Sequence, residues 1–382
     1  MRETHRFQLD VNEITHRLEN WYRTNKRALP WRFSAHSKKI SRAQRGYYAL
    51  VAEAMLQQTQ VSRVIDRFRQ FIKIYPNFNS LAEAQEQDIL AQWQGLGYYR
   101  RAKNLHAASK IIALNFNSTV PDTINTLLSL PGVGRYTAGA IASIAYGKRV
   151  PLVDGNVKRV IARLSAYPHS TDDRAGENHI WQTAGLLVSK SNQPGQFNQA
   201  LMELGSLICL PTENRAKCEH CPVRQQCAAF QSNRVAQIPK PKKPPIQKNI
   251  YAASIIIRNN RANWLMVKRP RRGLWASMWQ VPTLEREKKS HINRTTIEQF
   301  IQNEIGYHIA NNVSNKNTPT LTKINAFIHQ TSHRRINFTV WELKQFQGRK
   351  KVGRWLNQKE LQSHPISNAQ RKILQIAQMY HD

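Results

Sequence analysis

The stretch LPGVGRYTAGAIASIAYGKRVPLVDGNVKRVIARL, residues 130–164, decides the fold of this chain. Its first part places Gly132 and Gly134 in a tight turn between two apolar runs with helical spacing. Glycine has no side chain, so the backbone N–H groups of such a turn can approach a phosphate group. Further along, Asp154 and Gly155 interrupt an apolar run, and Asn156 opens the next helical pattern. The stretch therefore predicts a helical hairpin suited to a nucleic-acid backbone and a carboxylate presented where a helix begins.

A second feature is the charge of the chain. Lys and Arg together number 57 and Asp and Glu number 24, which gives a formal net charge of +33. This excess is larger than solubility requires and suits a polyanion, with nucleic acid as the leading candidate. A membrane surface is the alternative, but the sequence has no apolar run of about 18 residues and begins without the apolar core of a signal peptide. We therefore expect no membrane association and a cytoplasmic location, at the nucleoid if the source is bacterial.

The chain, at 382 residues, is long enough for two or three domains. Helical apolar spacing dominates its first part, with a long helical stretch at 47–75 and a basic polar loop at 33–45. The segment AQIPKPKKPPIQKN combines Pro and Lys and predicts an extended linker. Beyond it, β-branched and aromatic runs of strand length alternate with helical patterns. The predicted domains are an all-α domain over 1–235, the linker at 236–249 and an α+β domain over 250–382.

All four cysteines lie within nineteen residues, in a C-x8-C-x2-C-x5-C array: Cys209, Cys218, Cys221 and Cys227. In a chain expected in the cytoplasm, this array favours metal binding over disulfides, because thiolates gathered so closely are held together by a cation. Four thiolates suit either tetrahedral zinc or a four-iron, four-sulfur cluster, and the spacing leaves both open. The loop is also expected to face phosphate, because three basic side chains surround it: Arg215, Lys217 and Arg224.

Several long motifs resemble the MutY family of adenine DNA glycosylases, within the helix-hairpin-helix glycosylase superfamily. In chain order they are LPWR, EAMLQQTQV, GLGYYRRAKNLH, LPGVGRYTAGAI, VDGNVKRV, the cysteine array, RPRRGLWASMWQVP and a TSH segment, so the resemblance covers almost the whole chain. It implies a multidomain α plus α+β protein. An all-α helix-hairpin-helix glycosylase domain would carry one [4Fe–4S] cluster on residues 209–227, and a Nudix-like α/β domain would follow it.

The resemblance also implies an activity and a partner. The activity is hydrolytic removal of adenine mispaired with 8-oxoguanine or guanine, in base excision repair. The partner is double-stranded DNA that contains such a mispair, and the protein is expected to be a monomer.

Three features depart from the family pattern. The first gap between cysteines has eight residues where six are expected, and the basic segment at 33–45 is longer than usual. Thr331 replaces the usual Phe before Ser-His. None of the three falls on the catalytic groups that the resemblance implies.

Removal of adenine needs two carboxyl groups with different tasks, because the base leaves well only when it is protonated and its departure leaves positive charge on the sugar. Glu53 lies in the apolar helical setting VAEAMLQQ. Desolvation there would raise its pKa and let it donate a proton to the adenine ring, and the resemblance places the family's catalytic Glu at this position. Asp154 is expected to stay ionised beside a helix N-terminus and to stabilise the sugar cation or trap it transiently. Asn156 is expected to orient water or the Glu carboxylate.

Tyr136 stands where relatives with lyase activity carry a lysine. A Schiff base requires an amine nucleophile, which a phenol cannot supply. The resemblance therefore implies a monofunctional glycosylase. Lys148 and Lys158 lie nearby in the sequence and leave weak lyase activity open.

The resemblance further implies which residues hold the DNA. Flipping a base out of the duplex leaves a gap, and Gln58 and Tyr98 match the family's intercalating positions. Purine recognition is suited by an aromatic face and a fixed hydrogen-bond donor. The positions that match the adenine pocket are Trp31, Arg32 and Leu56.

The second domain is expected to bind rather than to hydrolyse. A Nudix hydrolase needs a glutamate-rich helix to hold magnesium, whereas the comparable stretch IEQFIQNEIGY keeps Glu304 and Gly306 but lacks the Arg and most of the glutamates. The segment HQTSHRRINF precedes a strand pattern, so Ser332 and His333 are expected on a turn that reads 8-oxoguanine. A hydroxyl can accept from the N7 hydrogen of the lesion, and N7 of guanine carries no hydrogen.

Two other functions remain open at this level. A bifunctional pyrimidine glycosylase/lyase of the same superfamily is disfavoured by Tyr136 and by the second domain. A non-catalytic iron–sulfur DNA sensor is disfavoured because both Glu53 and Asp154 are present. A cleavage assay on duplex DNA separates the three functions.

Overall fold

A computed structural model describes residues 9–32, 40–212, 216–240, 247–308, 320–331 and 333–380. Internal contacts divide the chain into two compact units, here called the helical unit (residues 1–84 and 103–242) and the mixed unit (residues 85–102 and 243–382). In the described ranges, no helix is both long enough and apolar enough to cross a membrane.

The described residues up to 240 form helices, turns and loops, as the sequence predicts. The α-helices are α1 Val11–Asn25, α2 Arg42–Leu56, α3 Val61–Ile74, α4 Phe78–Glu83, α5 Glu86–Gln92, α6 Arg100–Asn115, α7 Ile124–Leu128, α8 Arg135–Ala140, α9 Gly155–Leu164, α10 Arg174–Ser189, α11 Pro194–Leu207 and α12 Ala228–Gln231. A π-helical segment, Ile141–Ala145, continues α8, and short 3₁₀ turns occur at Cys218–His220 and Arg224–Gln226.

Two local predictions in this part were wrong. The basic loop ends earlier than expected, because the Ser41 side chain accepts from the backbone N–H of Gln44 and starts α2 at Arg42. The expected single helix over 47–75 is two helices, since the chain leaves α2 at Gln57 and Gln58 has a left-handed φ of 56°. No Gly or Pro marks this break in the sequence, so the pattern gave no signal for it.

The core of the helical unit is formed by apolar faces of α1, α9, α10 and α11. Its members include Ile14, Leu18, Val157, Ile161, Ile180, Leu187, Phe197 and Leu201, all of which are buried. The loop with the four cysteines packs against the same cluster. This packing brings the start of α9 and one face of α11 together.

The beginning of the predicted linker packs against the helical unit. Val235 and Ile238 are buried, and the carbonyl oxygen of Ile238 accepts a hydrogen bond from Nε of Arg163 at 2.8 Å. The expected extended conformation is therefore wrong for this part of the linker. Its apolar residue, Ile238, packs into the core of the helical unit, and residues 236–239 form turns and bends. The domain boundaries proposed from the sequence stay predictions.

Besides α5 and the start of α6, the described residues of the mixed unit form nine strands and the last three α-helices. They are β1 Lys248–Ile257, β2 Trp264–Lys268, β3 Trp279–Gln280, β4 Thr283–Arg286, α13 Arg294–Phe300, β5 Tyr307–His308, β6 Thr320–Gln330, β7 Arg334–Lys344, β8 Gln347–Gly348, β9 Arg354–Leu356, α14 Gln358–Ser363 and α15 Asn368–Met379. The main sheet has the order β4-β1-β7-β6, with β1 parallel to β7 and the other pairs antiparallel. Two smaller sheets have the orders β3-β2-β9 and β5-β8.

Strand β1 shows how the two faces of the main sheet are covered. Ala252 and Ile256 join the cluster that contains Ile373 of α15, whereas Ala253 and Ile255 join the cluster that contains Ile297 of α13. Alternate side chains of a strand point to opposite faces, so helices cover both faces of this sheet. The result is the predicted α+β architecture.

Candidate active site

Glu53 lies in the last part of α2 and is buried, with 7% of its surface exposed. Within the described ranges, its Oε2 atom has no hydrogen-bond partner. Burial raises the pKa of Glu53 to about 7, and the negative charge of Asp154 also raises it, while a hydrogen bond from Tyr136 and the charge of Arg32 act in the opposite direction. The sequence-based expectation of a raised pKa agrees with this environment, and the carboxyl group can hold a proton near neutral pH.

Asp154 is the N-cap of α9, as the sequence predicts. Its Oδ1 accepts from the backbone N–H of Val157 at 2.7 Å, and its Oδ2 accepts from the Nδ2 group of Asn156 at 3.0 Å. Burial raises the pKa of Asp154 above its usual value, and these two donors and the charge of Arg159 only limit the rise. Both oxygens of Asp154 are thus hydrogen-bonded, whereas Oε2 of Glu53 is not, which makes Asp154 the better placed of the two to carry negative charge.

Tyr136 lies in α8, the helix that follows the hairpin, and interacts with both carboxyl groups. Its hydroxyl group hydrogen-bonds to Glu53 and lies 3.5 Å from Sδ of Met202. Burial and the charges of Glu53 and Asp154 raise the pKa of the phenol well above its usual value. Tyr136 therefore stays protonated and acts as a hydrogen-bond donor.

Asn156 contacts Asp154, and no hydrogen bond joins it to Glu53 in the described part of the chain. Its Oδ1 atom accepts from Nη2 of Arg159 at 3.0 Å, and Arg159 also donates to the backbone oxygens of Gly205 and Cys209. Asn156 therefore fixes Asp154 in this structure, and the expectation that it orients water or the Glu carboxylate stays a prediction.

The residues matched to the adenine pocket lie in two segments of the helical unit. Trp31 is buried, and its ring meets the ring of Phe68 edge-on with centroids 5.3 Å apart. Arg32 donates to Oε2 of Glu203 at 2.8 Å and to the backbone oxygen of Arg27 at 3.0 Å, so its side chain is fixed. Leu56 is half-buried at the end of α2, one turn beyond Glu53.

Gln58 and Tyr98, the two residues matched to intercalating positions, share an unusual backbone conformation. Both are exposed and left-handed, with φ angles of 56° and 47°. A left-handed non-glycine residue costs about 1–3 kcal/mol and persists where its surroundings or its function require it. Gln58 belongs to the helical unit and Tyr98 to the mixed unit.

The glycine hairpin forms between α7 and α8, as predicted. Gly132 has a φ of 79°, and a Cβ atom there would lie 2.6 Å from Cβ of Asn104. Gly134 is the exposed N-cap of α8, and a Cβ atom there would meet open space. The next residue, Arg135, stacks its guanidinium group over the ring of Trp181 at 3.8 Å. The turn thus exposes the backbone at Gly134 and the fixed side chain of Arg135 to solvent.

The four cysteines line one cavity together with Arg163, Phe230 and Val235. Arg163 is only 2% exposed and donates to Sγ of Cys209 at 3.3 Å and to three backbone oxygens. In the described ranges, no carboxylate pairs with Arg163. A buried guanidinium group is stabilised by a negatively charged neighbour, and thiolates supply that charge. The four-thiolate donor set therefore fits a metal–thiolate centre.

The four thiols line one cavity, and this donor set suits either tetrahedral zinc or an iron–sulfur cluster. Among the described residues, no three His, Cys, Asp or Glu side chains are already placed to hold a single metal ion. Lys217 and Arg224 are exposed beside the cavity, and Arg215 lies outside the described residues.

Two lysines considered for lyase activity are both paired with carboxylates. Nζ of Lys148 lies 3.1 Å from Asp122, and Nζ of Lys158 lies 2.9 Å from Asp172. Both amines are thus held by carboxylates rather than directed at a substrate carbon.

In the mixed unit, the segment in which a turn was expected, at Ser332 and His333, falls between the end of β6 at Gln330 and the start of β7 at Arg334. Thr331 closes it, because its hydroxyl group accepts from the N–H of Arg334 and its own N–H donates to the oxygen of Arg334. His333 is exposed, and Ser332 lies outside the described residues. Glu304 is also exposed, and the expected loss of hydrolase function stays a prediction.

The sequence analysis missed the contribution of α11 to this site. Met202 contacts Tyr136, Glu203 binds Arg32, and a Cβ atom at Gly205 would lie 2.7 Å from Cβ of Asn156. The available signal was a single Glu within the apolar run QALMELGSLI, which predicts a buried and therefore paired carboxylate.

Comparisons with known proteins assign both parts of the chain. Residues 51–184 match the family described as HhH-GPD superfamily base excision DNA repair protein, and residues 253–376 match the NUDIX domain family. The chain is 31% identical to the adenine DNA glycosylase of Rattus norvegicus, over 96% of this chain and 78% of that protein. It is 32% identical to the adenine DNA glycosylase of Buchnera aphidicola subsp. Schizaphis graminum, over 94% of this chain and 96% of that protein.

Among solved structures, a thermostable thymine-DNA glycosylase superposes with a TM-score of 0.50 at 25% sequence identity. The match covers 58% of this chain and 97% of that chain. The predicted fold class, a helical glycosylase domain followed by a Nudix-like domain, is confirmed.

Proposed function

Because the chain belongs to the adenine DNA glycosylase family, we propose that it hydrolyses the N-glycosidic bond of adenine mispaired with 8-oxoguanine or guanine in double-stranded DNA. The observation that carries the proposal is the pair of interacting carboxyl groups, the buried Glu53 and the half-buried Asp154, of which Glu53 has an unpaired oxygen in the described ranges and Asp154 has both oxygens hydrogen-bonded. Glycosidic hydrolysis needs one acid and one anion at the same centre. The reaction is the first step of base excision repair.

Glu53 acts as the acid. Its raised pKa keeps it protonated near neutral pH, and its Oε2 atom has no protein partner in the described ranges, so this atom can face the substrate. It donates a proton to a ring nitrogen of adenine, the C1′–N bond breaks, and the electron pair leaves with the base.

Asp154 acts on the sugar. The bond cleavage leaves an oxocarbenium-like cation, which an ionised carboxylate stabilises or traps transiently. The N–H of Val157 and the amide of Asn156 keep Asp154 oriented and ionised. Water then adds to C1′ and loses a proton, which restores the protonated Glu53 and leaves an abasic site.

The substrate is held by three groups of residues. Trp31, Arg32 and Leu56 line the pocket for the flipped adenine, and Gln58 and Tyr98 fill the gap in the duplex. The strained backbone of the last two supports this role, because strain of this kind concentrates at functional positions. The N–H groups at Gly132 and Gly134 receive the DNA phosphates.

The four cysteines hold one [4Fe–4S] cluster in this proposal. The cavity they line and the buried charge of Arg163 support it. With the cluster bound, the loop that carries Lys217 and Arg224 would be held in one conformation, and these two exposed cations would meet the DNA backbone.

The enzyme cleaves no DNA strand. A phenol replaces the Schiff-base lysine at position 136, and the nearby Lys148 and Lys158 are held in ion pairs. We place 8-oxoguanine recognition on Ser332 and His333 of the second domain, and we expect a cytoplasmic monomer.

The test is a single-turnover assay with three duplexes, which contain A opposite 8-oxoguanine, A opposite G, and thymine glycol. The wild-type protein is expected to release free adenine from the first two and no base from the third. Glu53→Gln should bind the mispair and release essentially no adenine, whereas the exposed Glu177→Gln control should behave as wild type. Release of thymine glycol, or full activity of Glu53→Gln, would refute the assignment.

A further inference from the structure

The side chain of Glu203 on α11 is fully buried and binds two arginines. Its Oε1 atom accepts from Nε of Arg27 at 2.8 Å and from the backbone N–H of Arg27 at 3.0 Å. Its Oε2 atom accepts from the Nη2 atoms of Arg27 and Arg32, each at 2.8 Å. Hydrogen bonds between ionised partners are shorter and stronger than neutral ones, so this carboxylate fixes both guanidinium groups.

The two arginines bracket the segment that carries the adenine pocket. Residues 27–32 read RALPWR, so Trp31 and Arg32 lie at its end. Nη1 of Arg32 donates to the backbone oxygen of Arg27 at 3.0 Å, which closes the segment on itself. One carboxylate on α11 thus anchors both ends of the segment.

Glu203 also balances charge next to the catalytic acid. Burial acts to raise the pKa of Glu203, but the hydrogen bonds from Arg27 and Arg32 lower it to about 2, so it is ionised at every pH at which the enzyme works. Arg32 is one of three groups that act on Glu53, together with Tyr136 and Asp154. An uncompensated Arg32 would favour the ionised form of Glu53 and weaken it as an acid.

We infer that Glu203 is a positioning residue of the glycosylase site, which holds the RALPWR segment in place and neutralises Arg32 so that Glu53 keeps its proton near neutral pH. The inference rests on the proposed function. The rest of α11 is consistent with it, because Met202 contacts Tyr136 and Gly205 packs against Asn156. The helix supports the pocket, the acid and the carboxylate that faces the sugar.

The experiment measures the single-turnover rate of adenine release between about pH 5.5 and pH 9, with wild-type protein and Glu203→Gln. The wild-type rate is expected to fall as the pH rises through the pKa of Glu53, near 7. In Glu203→Gln this alkaline limb should move to lower pH by about one unit, since an opposite charge near a carboxyl group lowers its pKa by about 1 to 3 units. The rate at pH 8 should then fall about tenfold, while the rate at pH 5.5 changes less.

Two control variants separate charge from structure. Glu203→Asp keeps the charge and should keep the wild-type alkaline limb even where the rate falls. Glu285→Gln removes a more exposed carboxylate–arginine pair, with Arg269 in the mixed unit, and should leave the limb unchanged.

An alkaline limb that stays at the wild-type pH in Glu203→Gln would overturn the inference, even if the rate or the melting temperature falls. If Glu203→Gln does not fold, Arg32→Gln carries the test. Its alkaline limb should move to higher pH, and an unmoved limb would equally overturn the inference. A wild-type protein that releases no adenine would instead refute the proposed function itself.

Discussion

Replacing Glu53 by Gln is expected to stabilise the protein while it removes the acid. Burial raises the pKa of Glu53 from its ordinary value of 4.5 to about 7 in the folded chain. The folded state therefore keeps the proton up to about pH 7, whereas the unfolded chain releases it from about pH 4.5. Between these values ionisation favours unfolding, so stability present at low pH is lost as the pH rises through the folded pKa.

The size of this effect follows from the two pKa values. Each unit of difference corresponds to about 1.4 kcal/mol, so a difference of about 2.5 units costs the folded state about 3.4 kcal/mol well above pH 7. The cost is about 3 kcal/mol at pH 7 and only about 0.8 kcal/mol at pH 5. Gln does not titrate, and it leaves one unpaired polar atom where Oε2 now lies, as a protonated Glu does. The difference between the two proteins is therefore mainly this pH-dependent cost.

The assay is guanidinium unfolding of wild-type protein and Glu53→Gln between about pH 5 and pH 8.5, with Glu177→Gln as the exposed control. The free energy of unfolding of Glu53→Gln should exceed that of wild type by an amount that grows with pH and levels off above about pH 8. A difference that does not change with pH, or a less stable Glu53→Gln at pH 8, would show that Glu53 is ionised or solvated in the folded state and would refute the argument for its role as acid.

Three further outcomes test other parts of the chain. Cys218→Ser should remove the broad absorption near about 400 nm expected of an iron–thiolate cluster and weaken DNA binding more than it disturbs the helical core, while elemental analysis that finds zinc and no iron would exclude the cluster. Ser332→Ala with His333→Ala, or truncation after Gln247, should lower the preference for A opposite 8-oxoguanine over A opposite G by roughly ten- to a hundredfold, and an unchanged ratio would place lesion recognition elsewhere. Gly132→Ala should weaken DNA binding, because a φ of 79° and the nearby Asn104 both resist a Cβ atom, whereas Gly185→Ala on α10 has open space and should bind DNA as wild type. Equal affinities of the two glycine variants would remove the hairpin from the DNA interface.

The sequence predicted the parts of the fold that depend on local signals. Gly132 marks a turn that needs a positive φ, and Asp154 caps the helix that starts at Gly155. The apolar run of β1 is buried on both faces of the sheet, β7 alternates buried and half-buried residues, and the composition of both is typical of strands. Each of these features depends on neighbours within about four residues, so the pattern alone carries it.

Strand β6 is an element that local sequence signals do not predict. Its sequence TLTKINAFIHQ alternates poorly, and most of it is exposed at the edge of the sheet, where burial imposes no pattern. Its eleven residues are held by pairing with β7, which is itself held by β1. A strand that depends on a neighbour rather than on its own pattern was not predicted.

The residues of the candidate site likewise differ in how far the sequence alone predicts them. Glu53 and Asp154 could be singled out because each has a local signature, an acid within an apolar helix and an acid before a helix. Glu203 has a signature too, but its partners Arg27 and Arg32 lie 176 and 171 residues away in the chain, and nothing in the sequence indicates which cations it binds. The pairing of Glu203 with these two arginines depends on the packing of α1 against α11, because that contact brings the chain after α1 over one face of α11. The strength of Glu53 as an acid therefore depends on tertiary packing, and a substitution on α11 can change it without touching the substrate.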